Sequence, residues 1–320
     1  MMILPIKKNG EKSMLNQKEI VNEILRLKKE KNAVILAHNY QKPIIQDIAD
    51  FIGDSLGLAM QATKTKASFI IFCGVDFMAE SAKILNPDKI VIHPDRDAQC
   101  PMAAMVKIEE LRKLKEEYPD AATVAYVNTT ASTKAEVDIC CTSANAVKVV
   151  KSLREKEIIF IPDVNLGLYA QRFVPEKKFV FWKGYCYVHQ DIIEKSILLQ
   201  LKKEHPKAEI LVHPECIPEV IDLADYVFST EGMVKHIASS LAKEFIIGTE
   251  RELCYRLRKE NPSKKIYSVE KAVCTSMKMM TVEKVLRSLE TLEPKIELPS
   301  AIIEKARVPL QKMMKIGRAD

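Results

Sequence analysis

Three stretches of this chain end in a cysteine after a lysine-led apolar segment: Lys89-Ile-Val-Ile-His-Pro-Asp-Arg-Asp-Ala-Gln-Cys100, Lys178-Phe-Val-Phe-Trp-Lys-Gly-Tyr-Cys186 and Lys265-Ile-Tyr-Ser-Val-Glu-Lys-Ala-Val-Cys274. The steps, 86 residues from Cys100 to Cys186 and 88 from Cys186 to Cys274, are too even for a scattered thiol set and indicate a threefold internal repeat. Three equivalent thiols imply one shared centre. A structural zinc site takes four ligands, and the close C-x-x-C pairs of zinc ribbons are absent. A 4Fe-4S cluster takes one ligand per iron, so three thiolates leave one iron open to substrate, where it can act as a Lewis acid. Cys73, Cys140, Cys141, Cys216 and Cys254 follow no threefold pattern and read as core or incidental residues.

The elements that must position these thiols read as helix and strand in alternation. Asn16 with Glu19 has the form of a capping box, and Ile20, Ile24 and Leu27 recur at helical spacing behind it. Val34 to Ala37 and Ser68 to Cys73 read as buried strands, Asp76 to Leu85 as a helix, and Lys89 to Ile92 as the strand that leads to Cys100. A helix at Ile108 to Glu117 and a strand at Thr123 to Ala125 repeat this order, as do a helix at Ile193 to Glu204 and a strand at Ile210 to Val212. Asp50, Asp138 and Asp225 keep the same step, and so do Pro119, Pro206 and Pro294. The predicted fold is α/β, with three homologous αβα three-layer units on parallel sheets arranged with pseudo-threefold symmetry around a central site. The implied division is an extension over 1–15, repeats over 16–105, 106–192 and 193–280, and a C-terminal helix and tail over 281–320 that packs back on the first repeat.

In parallel α/β units ligands sit beyond the carboxyl ends of the strands. The pairs His38/Tyr40, Tyr126/Asn128 and His213/Glu215 all fall there, at a spacing that places both members on one side of an extended segment. Ser55, Ser143 and Thr230 each precede a helix and have the form of N-caps, beside which anions bind readily. Taken singly, such a hydroxyl is only a cap and such a histidine only a hydrogen-bonded loop residue. Their recurrence at equivalent places in three copies is the functional signal.

A content of 47% hydrophobic and 29% charged residues belongs to a globular protein, and the formal charge of +6 is spread over helix faces. No apolar run approaches the roughly 18 residues of a membrane span. Met1 to Ser13 lacks the h-region of a secretory signal, so a cytoplasmic location is expected. Eight cysteines in such a chain point to metal or redox use rather than to a disulfide framework. No basic arm or zinc-finger spacing supports nucleic-acid binding. With nine glycines and no G-x-G-x-x-G, P-loop or G-x-S-x-G, a nucleotide cofactor and a serine hydrolase are disfavoured. Two other classes stand beside a cluster enzyme: a non-catalytic iron-sulfur carrier, which would need no polar cleft, and a metal-free phosphosugar enzyme with reduced core thiols.

Across roughly Asn32 to Met280 the motifs His38-Asn-Tyr-Gln41, Asp50-Phe-Ile-Gly-Asp-Ser55, Gly74-Val-Asp-Phe-Met-Ala-Glu80, Cys100-Pro-Met-Ala103, Tyr126-Val-Asn128, His213-Pro-Glu215 and Cys274 resemble the quinolinate synthase family, the A proteins of de novo NAD biosynthesis. The resemblance implies condensation of iminoaspartate with dihydroxyacetone phosphate to quinolinate, with loss of phosphate and water. It implies a 4Fe-4S cluster on Cys100, Cys186 and Cys274, and a substrate pocket of His38, Ser55, Tyr126, Asn128, Ser143, His213, Glu215 and Thr230, with Tyr40, Glu215 and His38 at the chemistry. It also implies functional coupling to the L-aspartate oxidase or dehydrogenase that makes the imine. The Cys140-Cys141 pair and Cys254 have no ligand role in the family pattern.

Overall fold

A computed structural model describes residues Asn16 to Asp320; the expected extension over 1–15 lies outside the described residues. The first unit runs α1 (Gln17–Glu30), β1 (Ala33–His38), α2 (Pro43–Ile48), β2 (Phe51–Gly53), α3 (Ser55–Lys64), β3 (Phe69–Cys73), α4 (Asp76–Leu85), β4 (Ile90–Ile92). The second repeats it as α5 (Ile108–Glu117), β5 (Ala122–Tyr126), α6 (Ala131–Lys134), β6 (Ile139–Cys141), α7 (Ala146–Ser152), β7 (Glu157–Ile161), α8 (Val164–Gln171), β8 (Lys178–Phe181). The third follows as α9 (Lys195–Glu204), β9 (Glu209–Val212), α10 (Pro218–Ile221), β10 (Tyr226–Val227), α11 (Thr230–Ser239), β11 (Glu244–Gly248), α12 (Leu253–Glu260), β12 (Lys265–Ser268). Then come α13 (Thr275–Lys278), α14 (Val282–Thr291) and α15 (Ser300–Ile316).

Three separate four-stranded sheets result, with the orders β2-β1-β3-β4, β6-β5-β7-β8 and β10-β9-β11-β12, and every pairing in them is parallel. The near-continuous apolar strands are explained by helices on both faces. Along β1, Val34 and Leu36 join Leu56, Leu58 and Phe77 of α3 and α4, whereas Ile35 and Ala37 join Ile20 and Ile24 of α1 and Val285 and Leu289 of α14. β9 is divided in the same way: Ile210 and Val212 pack with Leu198 and Val220, and Leu211 packs with Met233, Ile237 and Leu257. At the entrance to α1 the capping box forms as read, with Glu19 N donating to Asn16 Oδ1 at 3.0 Å and Asn16 N to Glu19 Oε2 at 2.8 Å.

The repeated aspartates have a structural job. The carboxylates of Asp50, Asp138 and Asp225 accept from the backbone N–H of Ile35, Thr123 and Ile210, each at 2.8 Å. In return their own N–H groups donate to the carbonyls of the same three residues. Each aspartate thus braces the strand that carries the polar tips. Asp138→Ala is expected to lower the unfolding free energy by about 1 kcal/mol, the usual net value of one hydrogen bond. The midpoint of urea unfolding checks this, and an unchanged midpoint would remove the brace.

The tail does not pack on the first repeat alone. α14 lies against α1, but α15 crosses α4 of the first unit and α6, α7 and β6 of the second. Its apolar face, Ala306, Leu310 and Met313, is buried in the core that these units share. Beyond α15 the chain reaches all three units. Arg318 places both Nη2 contacts on the Asp54 carboxylate at 2.7 Å, Ala319 N donates to Ala144 O at 2.9 Å, and Asp320 Oδ2 accepts from Ser229 N at 2.9 Å.

Candidate active site

The braced strands end at one place. His38 is the last residue of β1, Tyr126 the last of β5, and His213 follows β9. Every site residue predicted from the sequence lines a single cavity there: His38, Tyr40, Ser55, Tyr126, Asn128, Ser143, His213, Glu215 and Thr230, together with Cys100, Cys186 and Cys274. Its space not filled by atoms, the open mouth included, is about 690 Å³.

Local geometry differs from the sequence reading in two respects. Beyond His38 and His213 the chain turns rather than staying extended, because Gln41 N–H bonds back to His38 O and Cys216 N–H to His213 O, both at 3.0 Å. This turn brings Tyr40 N–H to His38 Nδ1 at 3.2 Å and Glu215 N–H to His213 Nδ1 at 3.4 Å. Each Nδ1 accepts, so each imidazole keeps its proton on Nε2. Burial pushes the two histidines down, to about 4 for His38 and about 3 for His213, and at neutral pH both are uncharged donors. The second difference concerns the caps. Asp54, Asn145 and Ser229 hold the N-cap positions of α3, α7 and α11, with Asp54 Oδ1 accepting from Gly57 N at 2.8 Å and Ser229 Oγ from Gly232 N at 3.1 Å. The hydroxyls of Ser55 and Thr230 are therefore not consumed in capping; Thr230 Oγ1 accepts from Asn39 Nδ2 at 2.8 Å and keeps its own proton to donate.

His189, which the sequence reading passed over, joins Tyr40 to Glu215. Its Nδ1 lies 2.6 Å from Glu215 Oε2, and its Nε2 lies 2.9 Å from Thr249 Oγ1, which in turn lies 2.5 Å from the Tyr40 hydroxyl. An ionised carboxylate can only accept, so His189 carries its proton on Nδ1 and the bonds run Tyr40 to Thr249 to His189 to Glu215. Burial raises the Glu215 carboxyl, but the His189 imidazole against it outweighs burial and holds the group below the usual carboxylate range. Burial raises the Tyr40 and Tyr126 phenols, and the Glu215 charge raises both further, so they remain protonated donors.

Cysteines divide cleanly. Cys100, Cys186 and Cys274 are half-buried and open on the cavity, whereas Cys73, Cys140, Cys141, Cys216 and Cys254 are fully buried and do not line it. Burial raises the Cys186 thiol, and the charge of Glu215 raises it further. Donor atoms of Cys186, His189 and Glu215 also lie within 4.8 Å of one another, a group that could hold a metal ion. A buried polar atom is left over: Asn128 Oδ1 has no partner among the described residues. Such an atom in a cavity wall calls for a donor from a ligand or water.

Three parallel α/β units that turn their strand ends, one thiol each and a set of neutral donors into a common cavity define a triplicated α/β enzyme with a metal-capable centre. Residues 22–315 match the family model described as Quinolinate synthetase A protein, and the chain belongs to that family. It is 54% identical over 293 residues to the quinolinate synthase of Methanoregula boonei, covering 91% of this chain and 96% of that one. It is 52% identical over 295 residues to that of Thermodesulfovibrio yellowstonii, covering 92% and 97%. It is 48% identical over 323 aligned positions to that of Aquifex aeolicus, covering 99% and 100%.

Proposed function

We propose that this chain is a quinolinate synthase that condenses iminoaspartate with dihydroxyacetone phosphate, releasing phosphate and water, with a 4Fe-4S cluster held by Cys100, Cys186 and Cys274. The observation that carries the reading is the convergence of one partly exposed thiol from each unit on a cavity whose wall sets hydrogen-bonding groups such as His38, Tyr126 and Glu215 among apolar side chains such as Phe77, Met102 and Met277. The donor set fits the cluster: three soft sulfurs, no fourth cysteine on the cavity wall, and space beside them. When bound, the cluster supplies an iron with an open position, a Lewis acid for a substrate oxygen.

The protein's own groups have separable roles. Both substrates are anionic, and the hydroxyls of Ser55 and Thr230 at the N-termini of α3 and α11, with Ser143 ahead of α7, donate to carboxylate and phosphate oxygens. His38 and His213 donate from Nε2 to uncharged oxygens without adding charge. Asn128 Oδ1, left without a partner among the described residues, accepts from a substrate N–H or O–H. Glu215 takes up a proton from substrate and the Tyr40 hydroxyl donates one, the two groups being held in one hydrogen-bonded series by Thr249 and His189. The unstable imine comes from an L-aspartate oxidase or dehydrogenase. Among the described residues no helix is long and apolar enough to cross a membrane.

Anaerobically prepared protein, analysed for iron and acid-labile sulfide and assayed for quinolinate, is expected to carry about four of each per chain and to form product. A loaded protein that makes no quinolinate would be an electron carrier. Product without iron would leave the thiols as bystanders.

A further inference from the structure

Each cluster cysteine is approached by one acidic side chain, and the three acids occupy equivalent places. Cys100 N–H donates to Asp76 Oδ1 at 3.1 Å, Cys186 N–H to Asp163 Oδ2 at 3.2 Å, and Cys274 N–H to Glu250 Oε1 at 3.4 Å. The acids are spaced at 163 − 76 = 87 and 250 − 163 = 87 residues, and each stands just past the end of the third strand of its unit, β3, β7 or β11. A second bond closes each contact into a clasp. The carbonyl two residues before each cysteine, Ala98, Gly184 and Ala272, accepts from the N–H of Asp76, Val164 and Arg251 at 3.0, 2.8 and 2.9 Å.

We infer that Asp76, Asp163 and Glu250 are positioning residues that fix the three cysteine loops, so that the sulfurs stand in cluster geometry before iron arrives. Holding a backbone N–H needs only a neutral acceptor, and anions beside thiolates are electrostatically unfavourable. Yet all three units place a carboxylate there. A carboxyl oxygen supplies the acceptor that a loop on an edge strand lacks from its own ladder. The three clasps differ in a testable way. Asp76 uses one oxygen on the cysteine loop, and its other oxygen has no recorded partner among the described residues. Asp163 uses both, Oδ1 capping α8 through Leu166 N at 2.8 Å and Oδ2 holding Cys186. An asparagine at 76 can keep the acceptor in place, whereas an asparagine at 163 must turn an NH₂ toward a backbone N–H.

The inference rests on the three-thiol reading, and its test is the rate at which an iron chelator strips protein loaded with ferrous iron and sulfide, measured for the parent and four variants. Asp76→Ala is expected to lose iron at least about tenfold faster than the parent, a change of about 1.4 kcal/mol in barrier. Asp76→Asn should stay within about twofold, a small effect on the same scale. Asp163→Asn should behave like Asp76→Ala, and it carries the test if the alanine variant fails to fold. Asp50→Ala breaks a strand brace of the same unit away from the thiols, and should lower the thermal midpoint of the apoprotein without hastening iron loss. Iron held equally well by Asp76→Ala and Asp163→Asn, or lost equally fast by Asp50→Ala, overturns the positioning role. A parent that takes up no iron and sulfide overturns the three-thiol reading instead.

Discussion

Replacing any one of Cys100, Cys186 or Cys274 by alanine is expected to abolish the brown absorbance of reconstituted protein and its turnover, while Cys254→Ala leaves both. Cys254 is fully buried in an apolar cluster with Met233, Leu253 and Leu257, so its loss costs on the order of 1 kcal/mol of packing and no ligand. The three cavity cysteines are coupled differently: each supplies a sulfur that nothing else on the wall can replace. The same variants separate two metal arrangements. A single ion held by Cys186, His189 and Glu215 would survive Cys100→Ala and Cys274→Ala, whereas a cluster on three thiols survives neither. Colour retained in both of those variants would overturn the cluster assignment, and so would colour lost on Cys254→Ala.

Triplication was legible because backbone demands recur even where side chains diverge. The aspartate braces kept their residue type, since an N–H at the head of each tip-bearing strand needs an acceptor that no neighbouring strand supplies. The caps were displaced by one residue because Asp54-Ser55 and Ser229-Thr230 are each two adjacent cap formers, and only the backbone decides which oxygen reaches Gly57 or Gly232. His189 was missed for the opposite reason. Its place in the repeat is held by Met102 in the first unit and Met277 in the third, and all three line the cavity. A search for like residues at equal steps passes over one histidine among methionines, although an odd polar residue at a repeated cavity position is itself a signal. The acids that hold the cysteine loops were hidden as an Asp-Asp-Glu set, and Thr249 by having no counterpart of its own type. The tail could not be placed from the sequence, because its helix is apolar toward two units and its last residues pair with groups of all three.

Glu215→Gln should keep its iron and lose turnover by about 10² to 10⁴-fold, the usual range for a positioned acid or base. The substitution preserves volume in a side chain only 3% exposed, so the packing of the cavity wall is retained. What changes is the sign of the local field and the number of acceptors. The carboxylate faces His189 Nδ1 at Oε2, and an amide can accept at one end only, so an NH₂ placed at that end would turn His189 away. That disturbance travels along the bonded series, because His189 can then present a different nitrogen to Thr249, and Thr249 a different partner to Tyr40. Tyr40→Phe removes the other end of the same series. If the series acts as one unit, the double variant Tyr40→Phe/Glu215→Gln falls little below the worse single variant; independent roles would multiply the two losses. Single-turnover rates on reconstituted protein, with iron content measured in each sample, distinguish these cases. Normal turnover in Glu215→Gln would remove that carboxylate from the chemistry, and multiplied losses in the double variant would break the link through His189.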